Sequence, residues 1–258
     1  MQGKGTTVAP LLLFFRARAP AHVGKLIIVP GRDIEKPREA HWYTWLKDKL
    51  DQDKIFKEVV IAEQMPDYAG ASETAWVPWI KAQGIDAKST VIVGHGSGAH
   101  ACMRVAEEVQ CKAMVICAAN ATDMGDAAEK ATGYFDRPWQ YEKMIENCGT
   151  IAQFSSDDDP TIPVAEARKI KEGLKLCVEN DVGDYYEMLK RGHFDAKRFE
   201  EMFIVVMRLG VDDPDADPMN PVVPMPEGFE KTAVPKPLVT PKTLACVVLY
   251  FAFAYYYR

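Results

Sequence analysis

Thr90-Val91-Ile92-Val93-Gly94-His95-Gly96-Ser97-Gly98 is the stretch on which the fold turns. Its four β-branched residues read as a buried strand, its three glycines as a sharp turn, and the sequence onward to Val109 as a helix. Working outward, Lys25-Leu26-Ile27-Ile28-Val29 is a second apolar run, stopped by Pro30-Gly31. Residues 58–61, 113–117, 150–154 and 185–189 read as further short strands. Residues 40–50, with Trp42 and Trp45 on one face, and residues 73–83 read as helices. Continuous apolar strands alternating with helices predict an α/β chain of three layers, a mostly parallel sheet covered on both faces. Sites in such folds lie in the loops at the carboxyl ends of the strands.

Three of those loops carry reactive groups. The first is the glycine turn itself, Gly94 to Gly98. The second is Ser155-Ser156-Asp157-Asp158-Asp159-Pro160, after the strand at 150–154. The third is Arg191-Gly192-His193-Phe194, after the strand at 185–189. A turn, then an acid, then a histidine is the chain order of an α/β-hydrolase.

Residues 25–209 resemble the retinoblastoma-binding protein 9-like serine hydrolases. The resemblance rests on Val29-Pro30-Gly31, His41-Trp42-Tyr43, Met65-Pro66-Asp67, Glu73-Thr74-Ala75-Trp76, Gly94-His95 and Met103-Arg104. It continues through Gly133-Tyr134-Phe135, Arg137-Pro138-Trp139-Gln140, Asp158-Asp159-Pro160 and Gly192-His193-Phe194. It implies an α/β-hydrolase-type fold with Asp159 as the triad acid and His193 as the base. It also exposes a departure. The family's turn reads Gly-His-Ser-Ser-Gly with the first serine as nucleophile, and Gly96 stands in that place here while Ser97 matches the second serine. Glycine accepts the positive-φ conformation of such a turn without strain, so the turn survives while the oxygen is lost. Ser97 is expected one step on, rotated by about 100° into the helix and away from His193. Its N–H is then an oxyanion-hole donor and its hydroxyl a helix-start hydrogen-bonding group. Gly31, Arg32 and Trp139 are expected to line the pocket, with Arg32 bulky enough to obstruct the oxyanion hole.

Other readings of these residues are weaker. Gly94-x-Gly96-x-x-Ala99 has the form of a dinucleotide fingerprint, but it follows the third strand, and Ala118-Ala119-Asn120 ends the next without an acid. His41, His95, His100 and His193 lack carboxylates at ligand spacing. No cofactor and no metal are therefore expected. Asp157 and Asp158 read as a polar loop around Asp159, and Cys102, one turn into the helix, as a packing residue.

The composition bounds the rest. A chain of 258 residues, 48% hydrophobic and 26% charged, is an ordinary folded protein, and a net charge of −6 argues against nucleic acid as a partner. Six cysteines without paired spacing read as free thiols. Residues 1–24 are a basic arm: Lys4, Arg16 and Arg18 occur with no acid before Asp33, which reads either as an organelle transit segment or as a plain basic extension. Residues 25–210 form the hydrolase-like domain. Residues 211–243 hold eight of the seventeen prolines and read as an acidic extended linker. Residues 244–258 read as a hydrophobic C-terminal segment, uncharged from Leu244 to Tyr257. As a helix that run spans about 21 Å against ~30 Å of bilayer hydrocarbon, so it is expected either to enter lipid or to strap onto a protein.

The expectation that joins these features is a catalytically inactive, hydrolase-fold accessory subunit of a membrane protein complex, associated with the mitochondrial inner membrane. Its partners would be the other subunits and the bilayer, reached through residues 244–257. The alternative is an active serine hydrolase on small esters or amides, using Ser97 or a water activated by His193, in the cytoplasm or at another organelle membrane.

Overall fold

A computed structural model describes residues 21–176 and 182–212. Six parallel strands form the sheet: β1 (Ala21–Val29), β2 (Phe56–Ile61), β3 (Thr90–His95), β4 (Cys111–Cys117), β5 (Cys148–Ser156) and β6 (Gly183–Met188). Their spatial order is β2-β1-β3-β4-β5-β6. A two-residue strand, β7 (Val211–Asp212), pairs antiparallel with the start of β1, Ala21 facing Asp212. Residues 21–24, expected in the basic arm, and Val211 and Asp212, expected in the acidic linker, are thus strand residues.

The continuous apolar runs explain the layering. Along β1, Leu26 and Ile28 face one helical layer and Ile27 and Val29 the other, all fully buried. The first layer holds α1 (Tyr43–Gln52) through Leu46 and Leu50, and α7 (Glu200–Leu209) through Met202, Phe203 and Val206. The second holds α2 (Glu73–Lys81), α3 (Ser97–Ala106), α5 (Tyr141–Asn147) and α6 (Val164–Gly173). A short α4 (Ala127–Ala131) is capped by Asp126, whose carboxylate accepts from the N–H groups of Ala128 and Glu129. All ten residues of α3 are buried, because this helix follows the central strand and is covered from outside by α2 and by residues 133–140.

That cover depends on Arg104, a fully buried guanidinium. It donates to Glu107 Oε1 at 2.6 Å and to the carbonyl oxygens of Tyr134, Arg137 and Pro138, and its Cζ lies 3.9 Å from the centroid of the Trp139 ring. A buried cation needs acceptors, and here those of its two terminal nitrogens hold an irregular loop in place, while Nε, 3.7 Å from Glu73 Oε2, makes no hydrogen bond. Cys102 packs in the core of α3, and burial pushes its thiol well up, away from the reactive thiolate.

The parallel order reverses at β1: β2 lies on one side and β3 on the other. Such a switch point opens a crevice at the carboxyl ends of β1 and β3. Among the described residues no helix is long and apolar enough to cross a membrane. The longest helices there have ten residues, about 15 Å of rise, which corrects the expectation of a transmembrane helix as far as these residues reach. The hydrophobic run at 244–257 lies outside the described residues.

Candidate active site

Position 96 sits at the mouth of that crevice. The chain turns from β3 into α3 at Gly96 with φ 54° and ψ −121°, and its N–H donates to the carbonyl of Cys117 at the end of β4. The three glycines of the turn differ in why they are needed. A Cβ on Gly94 would run into the backbone of Gly98 and Ala99, and one on Gly98 into the carbonyl oxygens of Val29 and Pro30. Close packing of β1, β3 and α3 therefore requires both. A Cβ on Gly96 would meet nothing nearer than His193 Nε2 at 3.6 Å and Gly31 Cα at 3.8 Å. Contacts there leave room for a side chain, and that side chain would face the histidine.

His193 is fixed from its other nitrogen. Its Nδ1 lies 2.9 Å from Asp159 Oδ2 and 3.2 Å from Oδ1. The Asp159 carboxylate is buried and also accepts from the N–H groups of Thr161 and Ile162, at 2.8 and 2.9 Å. The neighbouring acids have a different task. Asp157 accepts from Lys190 N–H, Asp158 accepts from Gly192 N–H and from the Ser156 hydroxyl, and that hydroxyl accepts from Arg191 N–H. Asp157 and Asp158 thus lash the loop after β5 to the loop after β6, which sets Asp159 opposite His193.

A second set of bonds joins the remaining loops. His95 Nε2 lies 2.9 Å from the carbonyl oxygen of His193, and a carbonyl can only accept, so Nε2 carries the proton. Its Nδ1 is then an acceptor and takes the Tyr43 hydroxyl hydrogen at 2.7 Å. The same hydroxyl accepts from Gly31 N–H at 3.3 Å. Burial, reinforced by the neighbouring His193 and His41, holds the His95 imidazole well below the usual histidine range, so the neutral tautomer persists. One chain of bonds therefore runs from the loop after β1, through the start of α1, to the turn after β3 and on to the histidine loop. Sequence reasoning missed Tyr43 and His95 as parts of the site. Their signal was membership of the His41-Trp42-Tyr43 and Gly94-His95 stretches that carry the resemblance, which gave neither a role.

Arg32 follows Gly31, and its guanidinium is directed to Glu129 of α4, Nη2 to Oε1 at 3.1 Å. Burial pushes the Glu129 carboxyl up against the pull of Arg32. Glu129 was also missed, since an isolated glutamate in a short charged helix carries no signal of its own. Ser97 is the first residue of α3 and is buried. As in any first helical turn, its N–H has no carbonyl within the helix to donate to. Trp139 lines a cleft of about 340 Å³ with Ala121, Thr122, Asp123, Phe135 and Arg137 among others, and its indole N–H donates to Ala121 O at 2.8 Å. That cleft lies beside the loop after β4, and Gly31, Gly96 and His193 are not among its lining residues. The structure therefore brings Gly31, Gly96, Asp159 and His193 together and places Trp139 in the wall of a neighbouring cleft. His41 and His95 stack edge-on at 5.3 Å and His95 lies 5.1 Å from His193, whereas His100 sits apart, ringed by Tyr134, Phe135 and Trp139.

Comparison with known proteins shows the family and the fold. A sequence profile of a family described as serine hydrolase matches residues 26–198. Serine hydrolase RBBP9 of Rattus norvegicus is 38% identical over 182 residues, which is 70% of this chain and 93% of that one. Among solved structures, the ydeN gene product of B. subtilis superposes with a TM-score of 0.62 at 18% identity, over 72% of this chain and 98% of that one. TT1662 of Thermus thermophilus gives 0.54 at 12% identity, over 73% and 88%. At those identities the two structures speak to the fold alone.

Proposed function

The chain belongs to the serine hydrolase family, and on that premise we propose that it hydrolyses small esters or amides with the Asp159–His193 pair as its proton-transfer machinery. Membership overturns the expectation of a non-catalytic accessory subunit of a membrane complex, because the family and the relative that matches 70% of the chain are hydrolases.

The observation that carries the reading is His193 Nε2 facing position 96 while Nδ1 is held by a buried carboxylate. Position 96 corresponds to the nucleophile of the elbow, and as glycine it supplies no oxygen. In the proposed reaction a water takes that place. Nε2 removes its proton as it attacks the ester carbonyl, and Asp159 keeps the ring oriented and stabilises the imidazolium that forms. The imidazolium then protonates the leaving alcohol. Ser97 N–H, at the start of α3, is one oxyanion donor. Gly31 N–H is engaged by Tyr43, so the contribution of the loop after β1 falls to Arg32 N–H, while the Arg32 side chain pairs with Glu129. Ser97 is less suited to attack, since a helical step of about 100° separates its side chain from the direction in which position 96 faces His193.

Turnover of p-nitrophenyl acetate by the full-length protein tests this. Hydrolysis should be lost in His193→Ala and retained in Ser97→Ala. Retention in His193→Ala overturns the assignment, and loss in a folded Ser97→Ala transfers the nucleophile role to that serine.

A further inference from the structure

Cys111 and Cys148 are 37 residues apart in the chain and in contact in the fold. Cys111 opens β4, Cys148 opens β5, and the two are direct partners in the parallel register of those strands. Their side chains therefore emerge on one face of the sheet, in the layer that holds α3 and α5. Both thiols are free, and their sulfurs form a hydrogen-bonded pair at 3.5 Å. The next rung on that face, Ala113 opposite Thr150, uses unlike residues, so packing there does not demand a matched pair. Neighbouring strands run about 4.8 Å apart, inside the Cα separations of about 4.4–6.8 Å that a disulfide spans. Closing the sulfurs from 3.5 Å to about 2.05 Å asks roughly 0.7 Å of travel from each. The pair is also the first rung of its ladder, where no earlier rung resists that movement.

We propose that Cys111 and Cys148 are a dithiol modification site that closes reversibly to a disulfide, with hydrogen peroxide as the oxidant. Burial admits only a small oxidant, and Cys148, 7% exposed against 2% for Cys111, meets it first. Cys148 loses its proton and its sulfur attacks the peroxide. The O–O bond breaks, one oxygen stays on sulfur as a sulfenic acid, and the other leaves as water. Cys111 then loses its proton, its sulfur bonds to the sulfenic sulfur, and the oxygen departs as a second water. Two thiols are oxidised to one disulfide and one peroxide is reduced to two waters. The hydrogen bond with Cys111, together with burial, pushes the Cys148 thiol up, so the first step is slow. The second is fast, because the partner sulfur is already in contact. The closed loop takes in α4 with Glu129, the cleft wall at Trp139 and residues 133–140 over α3. Both cysteines start strands whose carboxyl ends lead to the catalytic loops, so oxidation fastens this cover from the end of the sheet away from His193.

The test treats the full-length protein with hydrogen peroxide, blocks remaining thiols with iodoacetamide in urea, and digests with trypsin without reduction. Cleavage after lysine and arginine places Cys102, Cys111, Cys117 and Cys148 in separate peptides, residues 89–104, 105–112, 113–130 and 144–168, so each pairing has its own mass. The expected result is a 105–112/144–168 linked pair, lighter by two hydrogens than its two peptides, absent before peroxide and removed by dithiothreitol. Tm of the oxidised protein should fall by about 5–10 °C when dithiothreitol reopens the bond, a comparison that oxidised methionines do not disturb. Cys111→Ala should abolish that difference. Absence of the linked pair, with Cys148 recovered as a thiol or a sulfinic acid, overturns the proposal, and so does linkage of either cysteine to Cys102. A linked protein whose Tm does not change on reduction overturns the fastening of the cover. The peptide map of the unmodified protein decides the question even if Cys111→Ala is unstable.

Discussion

Replacing Gly96 with serine should turn the protein into a nucleophilic serine hydrolase. The Cβ of the new side chain would lie 3.6 Å from His193 Nε2 and 3.8 Å from Gly31 Cα, so it needs no rearrangement of either loop. The hydroxyl oxygen, about 1.4 Å beyond Cβ, can rotate to within hydrogen-bond reach of Nε2, the arrangement of an activated nucleophile. The acid and base are in place, Asp159 at 2.9 Å from Nδ1. Removing the nucleophile from a serine hydrolase costs on the order of 10⁶ in kcat, so restoring it should raise turnover by several orders of magnitude. The substitution also has a conformational cost. A non-glycine residue at φ 54°, ψ −121° carries strain of about 1–3 kcal/mol, which for a domain of this size lowers Tm by a few degrees to about 10 °C. Gly96→Ser should therefore be faster and less stable at once. Fluorophosphonate labelling and pre-steady-state burst kinetics read the first effect, and thermal unfolding the second. A folded Gly96→Ser protein that neither labels nor shows a burst refutes the placement of position 96 opposite the base. Strong labelling of the unmodified protein that disappears in Ser97→Ala refutes it from the other side.

Tyr43→Phe removes the hydroxyl shared by Gly31 N–H and His95 Nδ1 and should lower stability by about 1–3 kcal/mol in urea unfolding, with a larger loss in kcat than in KM because both loops it joins border the reacting atoms. Arg104→Met removes the buried cation 2.6 Å from Glu107, which keeps Gln140 N–H and the more distant Arg137, and frees three carbonyls of the 134–138 loop, so a loss of about 3–5 kcal/mol is expected by the same measurement. Stability should also fall with acidity: burial lowers His100 to about 3, so the unfolded chain binds a proton that the folded one refuses. The contribution is intact above about pH 6.5 and shrinks as pH falls below it, by roughly 2 kcal/mol between pH 7 and 5, and His100→Asn should remove that share of the slope, leaving the share that buried His95 supplies. Truncation after Thr240 removes the uncharged run 244–257 and should leave the described domain folded, with an unchanged circular dichroism melting transition.

The sheet was legible because its strands are buried on both faces. Val91, Ile92 and Val93, or Leu26, Ile27 and Ile28, have no polar neighbour to blur the period, and their glycine stops mark the turns. Strand ends were less legible. β3 continues through Gly94 and His95, and β4 starts at Cys111 and β5 at Cys148, because pairing with neighbours extends strands past what apolar content signals. The helix expected at 40–50 begins only at Tyr43, since His41 takes a positive φ of 43° and Trp42 turns inward at the helix start. At the site, the chain order of glycine turn, aspartate and histidine could be read. The hydrogen bonds that assemble it could not. Which of three adjacent aspartates meets His193 depends on where Asp157 and Asp158 find N–H groups, in a loop thirty-odd residues away. Tyr43 and His95 lie 52 residues apart and carry no shared pattern.

Those bonds also say what the interior is built for. Tyr43 and His95 occupy fully buried places where apolar residues would be stabilising without any need for partners. Their hydrogen bonds return only about 0.5–1.5 kcal/mol each, little more than the desolvation they offset. What the chain gains is position. His95 bonds to the backbone of His193 and not to its ring, so it sets where the imidazole stands without competing for Nε2. Tyr43 ties the loop that carries Gly31 to the same point, and Asp157 and Asp158 do likewise for the loop that carries Asp159. Three loops from different strands thus converge on one nitrogen, with Nε2 directed at position 96. A fold that needed only to be stable would have no use for that convergence, whereas proton transfer to a group held beside Gly96 depends on it.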